Sequence, residues 1–287
     1  MLLQGEMRLR IWDVEHGACA MLHHQMGNYS GRLAMIDSGC TGAWRPSRFI
    51  RNDLKRQQLD YLYITNADQD HMSDLQGLWD TGINVPVVHR NPSPSVEEMR
   101  KMKEVGGPLT KDAQRFLSIH QSYVGNVTEP FNASMGGITA TCFWNTYPRF
   151  QDTNNLSLTV FIQYGNFKIL FPGDLEKIGW EALLEQPNFV RMLPNTDVLV
   201  ASHHGRESGF CSDIFNYFTP SAVVISDKPI RHDTQRTVPD YRAVVRDKGV
   251  RVATTLKDRH VLTTRRDGSI TFFVDQNEYR IETECRG

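Results

Sequence analysis

The chain has 287 residues, 40% hydrophobic and 23% charged, the balance of a globular protein with a buried core in one large domain or two small ones. A formal net charge of −1 and a pI near 6.8 exclude a global basic field for holding nucleic acid, although a local basic face remains open. No apolar run approaches the ~20 residues that span a bilayer, no signal-peptide core opens the chain, and five cysteines without a C-x-x-C pair fit a reduced, cytoplasmic setting.

Segments 7–12 and 18–22 read as two strands about Glu15-His16-Gly17, and 33–36 as a third that ends in Asp37-Ser38-Gly39. Phe49, Ile50 and Leu54 on one side, with arginine and lysine on the other, predict a helix over 47–57. A strand over 59–64 precedes the turn Thr65-Asn66-Ala67-Asp68-Gln69-Asp70-His71. A helix over 74–79 capped by Ser73 and a short strand over 85–88 follow. Pro92-Ser93-Pro94-Ser95 opens a segment of different character, with helices over 96–103 and 111–119. Residues 92–126 read as a helical insertion in a single domain spanning 1–287, either a lid or a passive surface excursion.

Strands over 138–144, 157–164 and 167–171 begin the second half. A helix over 180–184, a strand over 197–201, a helix over 213–217, a strand over 222–226 and a helix over 240–247 follow. A terminal meander is expected at 251–256, 260–264, 269–274 and 278–283. Both halves run strands then helices, not strict alternation, which predicts an α/β fold of αββα type, two packed sheets with helices outside.

The turn Asp68-Gln69-Asp70-His71 places two carboxylates and an imidazole at a strand end, an arrangement suited to a divalent metal. Three later strands also end abruptly in polar residues: Gly173-Asp174-Leu175-Glu176, Ser202-His203-His204-Gly205 and Ile225-Ser226-Asp227. Four such ends would line a site along one edge of a sheet sandwich. Cys19 and Cys142 read as core fillers, whereas Cys40 and Cys211 lie near the proposed site.

These motifs, in order, resemble the metallo-β-lactamase superfamily, and within it the hydrolase domain of bacterial competence DNA-uptake channel proteins. That family opens D-V-G-Q-G-D, similar to Asp13-Val14-Glu15-His16-Gly17-Ala18, and continues I-D-T-G, similar to Ile36-Asp37-Ser38-Gly39. Its S-H-x-D-x-D-H-x-G resembles residues 65–73, its N-x-x-S-L resembles 154–158, and its G-D-x-E and H-H-G-S resemble 173–176 and 203–206. The match runs from about 7 to 275 and leaves out 92–126.

The resemblance implies one metal position from Asp70 and His71, with Asp174 as a shared carboxylate and a histidine from the His203-His204 pair. It implies a second from the first histidine of the signature with Asp68 and Asp174. Asn66 stands in that histidine's place, and an amide oxygen is a weak neutral ligand for zinc. The expected cofactor is therefore one or two divalent ions, Zn²⁺ or, through oxygen ligands, Mn²⁺ or Mg²⁺.

The implied chemistry is metal-assisted hydrolysis, with Asp70 orienting or accepting a proton from water, and Asp68 doing the same if it is not a ligand. Asp37 would brace the ligands, and His16, in place of the family's glutamine, would serve the core or back the ligands. His232 is a candidate phosphate or leaving-group contact, or else a plain surface histidine in Arg231-His232-Asp233. The expected function is a phosphodiesterase or nuclease acting on nucleic acid or a nucleotide, with Arg206, Lys228, Arg231 and Arg236 as phosphate contacts. The alternatives are an attenuated or non-catalytic binding module in a multi-protein bacterial system, phage defence included, and a hydrolase of another ester class.

Overall fold

Alternating burial along β1 (Glu6–Ile11) sends Met7, Leu9 and Ile11 inward and leaves Arg8 and Arg10 outside, the period-2 pattern of a strand with one face on a core. The structure, a computed structural model, describes residues 5–125, 131, 135–228 and 236–285. Among them β1 belongs to a nine-stranded sheet in the order β12-β11-β15-β14-β1-β2-β3-β4-β5. Its other members are β2 (Ala20–Met26), β3 (Tyr29–Ile36), β4 (Tyr61–Tyr63), β5 (Val87–His89), β11 (Val250–Val252), β12 (Lys257–Arg259), β14 (Ile270–Val274) and β15 (Tyr279–Thr283). A six-stranded sheet runs β13-β10-β9-β8-β7-β6, from β6 (Thr139–Trp144), β7 (Leu158–Tyr164), β8 (Phe167–Phe171), β9 (Val198–Val200), β10 (Ala222–Ile225) and β13 (Val261–Thr263).

The sheets pack face to face over one apolar layer that includes Leu9, Leu22, Val160, Ile162, Ile169, Val198, Val224 and Phe272. The neighbouring residues Phe161, Leu170, Leu199 and Val223 point the other way, onto Trp180, Phe189, Leu193 and Tyr241 from α6 (Lys177–Leu184), α7 (Pro187–Met192) and α8 (Val238–Ala243) with their flanking loops. Burial on both faces explains why β7, β8 and β10 are near-continuous apolar runs. On the far side of the first sheet, Met35, Leu62 and Ile64 meet α1 (Pro46–Arg48) with the turn that continues it to Asp53, α3 (Leu75–Asp80), α4 (Val96–Glu104) and α5 (Lys111–Ser122). The layers are α, β, β, α, as the sequence predicts.

Segment 92–126 is a structural layer of this sandwich in its described part, not a passive excursion. Met99, Ala113, Phe116, Leu117 and Ile119 are buried in the same apolar cluster as Met35 and Leu62. The helix expected over 47–57 is shorter, because the chain leaves helical geometry after Leu54 with Lys55 at φ 55°. Ser73 is not a helix cap; its Oγ accepts from the Cys40 amide at 2.9 Å, and the metal-type turn itself starts α2 (Gln69–Met72). The terminal segment is not a simple meander. Val261-Leu262-Thr263 pairs in parallel with β10 in the second sheet, while the strands around it join the first. Among the described residues no helix is long and apolar enough to cross a membrane.

The position of any site follows from strand direction. β3, β4 and β5 are mutually parallel, as are β8, β9, β10 and β13, so their carboxyl ends emerge in register. The two sheets are joined there by a backbone bond from Leu158 N to Thr65 O of 2.7 Å.

If α5 completes the core, Phe116→Ala destabilises the protein by about 3–5 kcal/mol. Urea unfolding followed by circular dichroism reads this directly, and a loss below about 1 kcal/mol would return the segment to the surface.

Candidate metal centre

Each strand end contributes through a local feature. β3 ends in Asp37, at φ 59°, whose Oδ1 accepts from the Thr65 amide at 2.7 Å and whose Oδ2 accepts from the Thr65 hydroxyl. After β4 the chain turns at once into α2, putting Asp70 and His71 in its first turn. Gly17 lies against this turn at φ 144°, and a Cβ there would come within 2.4 Å of the Asp70 carbonyl oxygen, so only glycine allows the approach. After β8, Gly173 at φ 64° leads into Asp174, whose amide donates to Ser157 Oγ at 3.0 Å.

After β9 two consecutive non-glycine residues, His203 (φ 51°) and His204 (φ 54°), take left-handed backbone, at a cost of about 1–2 kcal/mol each. Bonds from His203 N to Gly173 O (3.2 Å), from Arg206 N to His203 O (2.9 Å) and from Ser202 Oγ to Gly173 O (3.2 Å) hold that conformation. Such strain collects at functional positions. Here it turns His204 inward and His203 away.

Among the described residues Asp70, His71, Asp174 and His204 form one group of metal-capable side chains, with one potential ligand atom from each and all four atoms within 4.8 Å of one another. His71 is 2% exposed. Its Nδ1 lies 2.8 Å from Asp37 Oδ2 and its Nε2 2.9 Å from Asp174 Oδ1. His204 Nδ1 donates to the Ser226 carbonyl at 2.8 Å, which leaves Nε2 facing the group, where Asp174 and Asp70 favour a proton that a metal would displace. That Nε2 lies 3.1 Å from Asp70 Oδ2 and 3.6 Å from Asp174 Oδ1, yet it makes no well-aligned hydrogen bond although buried. A buried imidazole nitrogen without a well-aligned partner, two carboxylates and a second imidazole backed by Asp37 are a donor set that fits a divalent ion.

The other sequence candidates lie elsewhere. Asn66 Oδ1 accepts from the Asp68 amide at 2.8 Å and its Nδ2 faces Asn154 Oδ1 at 3.2 Å, so its amide is spent on the turn. Asp68 is outside the group, ion-paired to Lys103 Nζ at 2.7 Å and bonded by the Thr153 hydroxyl at 3.0 Å. His203 faces Ser208 Oγ (3.1 Å) and Glu176 (3.6 Å). Asp227 is fully buried against Arg265, and burial pushes its carboxyl up to about 6; the end of β10 reaches the group through the Ser226 carbonyl instead. His232 and Arg231 lie outside the described residues. Cys19, expected only as core, lines the small cavity behind Asp37, His71 and His204, whereas Cys211 packs in the outer cluster of the second sheet.

His16 is the residue that sequence reasoning undervalued. Its Nε2 is 3.3 Å from Asp70 Oδ2 and its ring centroid 4.7 Å from that of His204. Burial, and then the neighbouring His204, push its imidazole down to about 4, so it is neutral at pH 7. The available signal was its position in the loop after β1, at the same sheet end as the ligands.

Burial alone would raise Asp70, but the imidazole of His204 close to its carboxylate and the charge of His71 outweigh it and hold the carboxyl well below the usual range. Burial opposes the imidazolium of His71, yet Asp174 and Asp37 raise it well above its ordinary 6.5. In the metal-free protein a raised imidazole contributes stability fully below pH 6.5, lost as pH rises through the folded-state value. A metal must displace that proton. Metal-induced thermal stabilisation therefore grows as pH rises above 6.5, and calorimetry in buffers of different ionisation enthalpy should show proton release on binding; a pH-independent shift without release would remove His71 from the centre. Asp37→Asn should weaken metal affinity by about 10–100-fold, read by chelator competition.

The metallo-beta-lactamase superfamily model matches residues 28–204, more than half of the chain. No curated protein matches. Among solved structures, a proposed metal-dependent hydrolase from Parabacteroides distasonis is 13% identical, with 90% of this chain and 93% of that one covered and a TM-score of 0.43. CmlA, a diiron β-hydroxylase from Streptomyces venezuelae, is 17% identical over 79% of this chain and 45% of that one, with a TM-score of 0.41. A proposed metallo-β-lactamase from Thermotoga maritima is 12% identical over 63% and 86%, with a TM-score of 0.34. With the motif order, the αββα layers and the family match over 28–204 in agreement, the chain belongs to the metallo-β-lactamase superfamily.

Proposed function

We propose that this protein is a metal-dependent phosphoester hydrolase that holds one divalent ion through Asp70, His71, Asp174 and His204, and that a nucleotide or nucleic-acid phosphodiester is its substrate. The observation that carries the metal reading is the buried His204 Nε2, which has no well-aligned hydrogen-bond partner while its ring is fixed from the other side. A divalent ion there supplies charge that acidifies a water and stabilises the negative charge developing on the ester oxygens.

The chain's own groups do the rest. Asp37 keeps His71 Nδ1 occupied and its Nε2 aimed at the ligand point. Ser226 does the same for His204. Asp70 is ionised across the neutral range and available to hold a water in place. Neutral His16 presents an imidazole beside Asp70 at the more exposed side of the group.

The phosphoester assignment rests on two supports. One is the D-x-D-H form of the turn and its resemblance to the DNA-uptake hydrolase domain. The other is local charge: Arg206 and Lys228 both disfavour a proton on His16, so the His16 side of the group has positive charge near it, which suits an anionic substrate.

Metal content by plasma mass spectrometry, with a panel of bis-p-nitrophenyl phosphate, nitrocefin and a thioester, tests both halves. His204→Ala should abolish metal uptake and hydrolysis together, while His203→Ala keeps the metal. Turnover of the phosphodiester alone supports the assignment. Turnover of nitrocefin or the thioester in its place overturns it, and no metal under any loading would leave a binding module.

A further inference from the structure

We propose that the ammonium of Lys103 is a built-in counter-ion for Asp68 and that, together with the closed amide of Asn66, it keeps a second divalent cation from the place beside Asp68. The inference rests on the metal reading above and fixes the number of ions at one.

The turn carries two carboxylates two residues apart, and they have different fates. Asp70 joins the metal-capable group. Asp68 receives Lys103 Nζ at 2.7 Å on Oδ1, and the Thr153 hydroxyl lies 3.0 Å from both of its oxygens. Asn66 is closed as well. The Asp68 amide can only donate, so the Asn66 atom 2.8 Å from it is the carbonyl oxygen, the one atom of that side chain able to bind a metal. Its Nδ2 then faces Asn154 Oδ1 at 3.2 Å and Ser157 Oγ at 3.4 Å. Ser157 Oγ in turn accepts from the Asp174 amide, so this closed cluster abuts the metal group directly.

Lys103 is placed there by the fold. It is carried on α4, whose start is fixed by a reciprocal cap between Ser95 and Glu98. Met99, one turn earlier on the same helix face, is anchored in the core at 3% exposure. The lysine side chain is only 14% exposed. The start of α5 grips the same turn from the other side: Thr110 Oγ1 donates to Gln69 Oε1 at 2.6 Å, and Gln69 Nε2 donates to Asp112 Oδ2 at 2.8 Å. α4 thus supplies a fixed positive charge beside Asn66, the residue that stands where the signature has its first histidine.

The test is metal stoichiometry in four proteins: the wild type, Asn66→His, Lys103→Gln and the double variant. Each is loaded with Zn²⁺ and measured by plasma mass spectrometry, with Co²⁺ absorption titrations as a second readout and circular dichroism to confirm folding. Lys103→Gln keeps most of the stem that packs along α4, and Lys103→Met is made in parallel should it fold poorly. We expect one ion per chain in the wild type and in both single variants, and two in the double variant, because the imidazole gains access only once the ammonium is gone. Two ions in Asn66→His alone would show that Lys103 is no obstacle and overturn the proposal. One ion in the folded double variant would show that the place beside Asp68 is not a cation site and overturn it equally. A wild type with no metal would overturn the metal reading itself, and this inference with it.

Discussion

The imidazole of His71, fully enclosed between Asp37 and Asp174, is the contact on which the site is built. Asp37 ends β3 of the first sheet and Asp174 follows β8 of the second, so one ring bonded at 2.8 and 2.9 Å ties the sheets together at their common edge. Two buried carboxylates this close would repel, and burial would push both toward the neutral acid. A positive group between them is required, and either a proton on His71 or a metal beside its Nε2 meets that need. Stability at this edge and affinity for a cation are therefore two expressions of one electrostatic demand.

The same demand explains the outer ring of the site. Asp68 lies beyond reach of His71 and receives the ammonium of Lys103 instead. The helices that bring Lys103, Thr110 and Asp112 to the turn also bury Met99, Phe116 and Ile119 against the first sheet. Packing and positioning cannot be separated in that segment, because moving the apolar face moves the charge.

The strained His203-His204 pair shows how backbone geometry assigns roles to adjacent identical residues. Left-handed conformation at both positions sends one ring to the buried group and the other to Ser208 and Glu176. The cost is offset by bonds to Gly173, in the loop that also delivers Asp174, so two loops that carry the metal-capable group hold each other in place.

The layered α/β architecture was legible in the sequence, because apolar runs of strand length ending in Gly-Asp, Asp-x-Asp-His and His-His-Gly carry periodicity and chemistry in the same few residues. Asp70, His71 and Asp174 were legible for the same reason: each sits where a run stops. The sequence could not separate His203 from His204, since the choice depends on φ values that no neighbouring residue type dictates. It could not remove Asp68 and Asn66 from the ligand set, since the Asp68 partners Lys103 and Thr153 are 35 and 85 residues away along the chain and the Asn66 partner Asn154 is 88 away. It undervalued His16, which reaches Asp70 only because β1 and β4 belong to one sheet. Local pattern determined which strands exist and where their chemistry lies; long-range packing alone decided which of those side chains share a point in space, because burial and ion pairing are settled by neighbours distant in sequence.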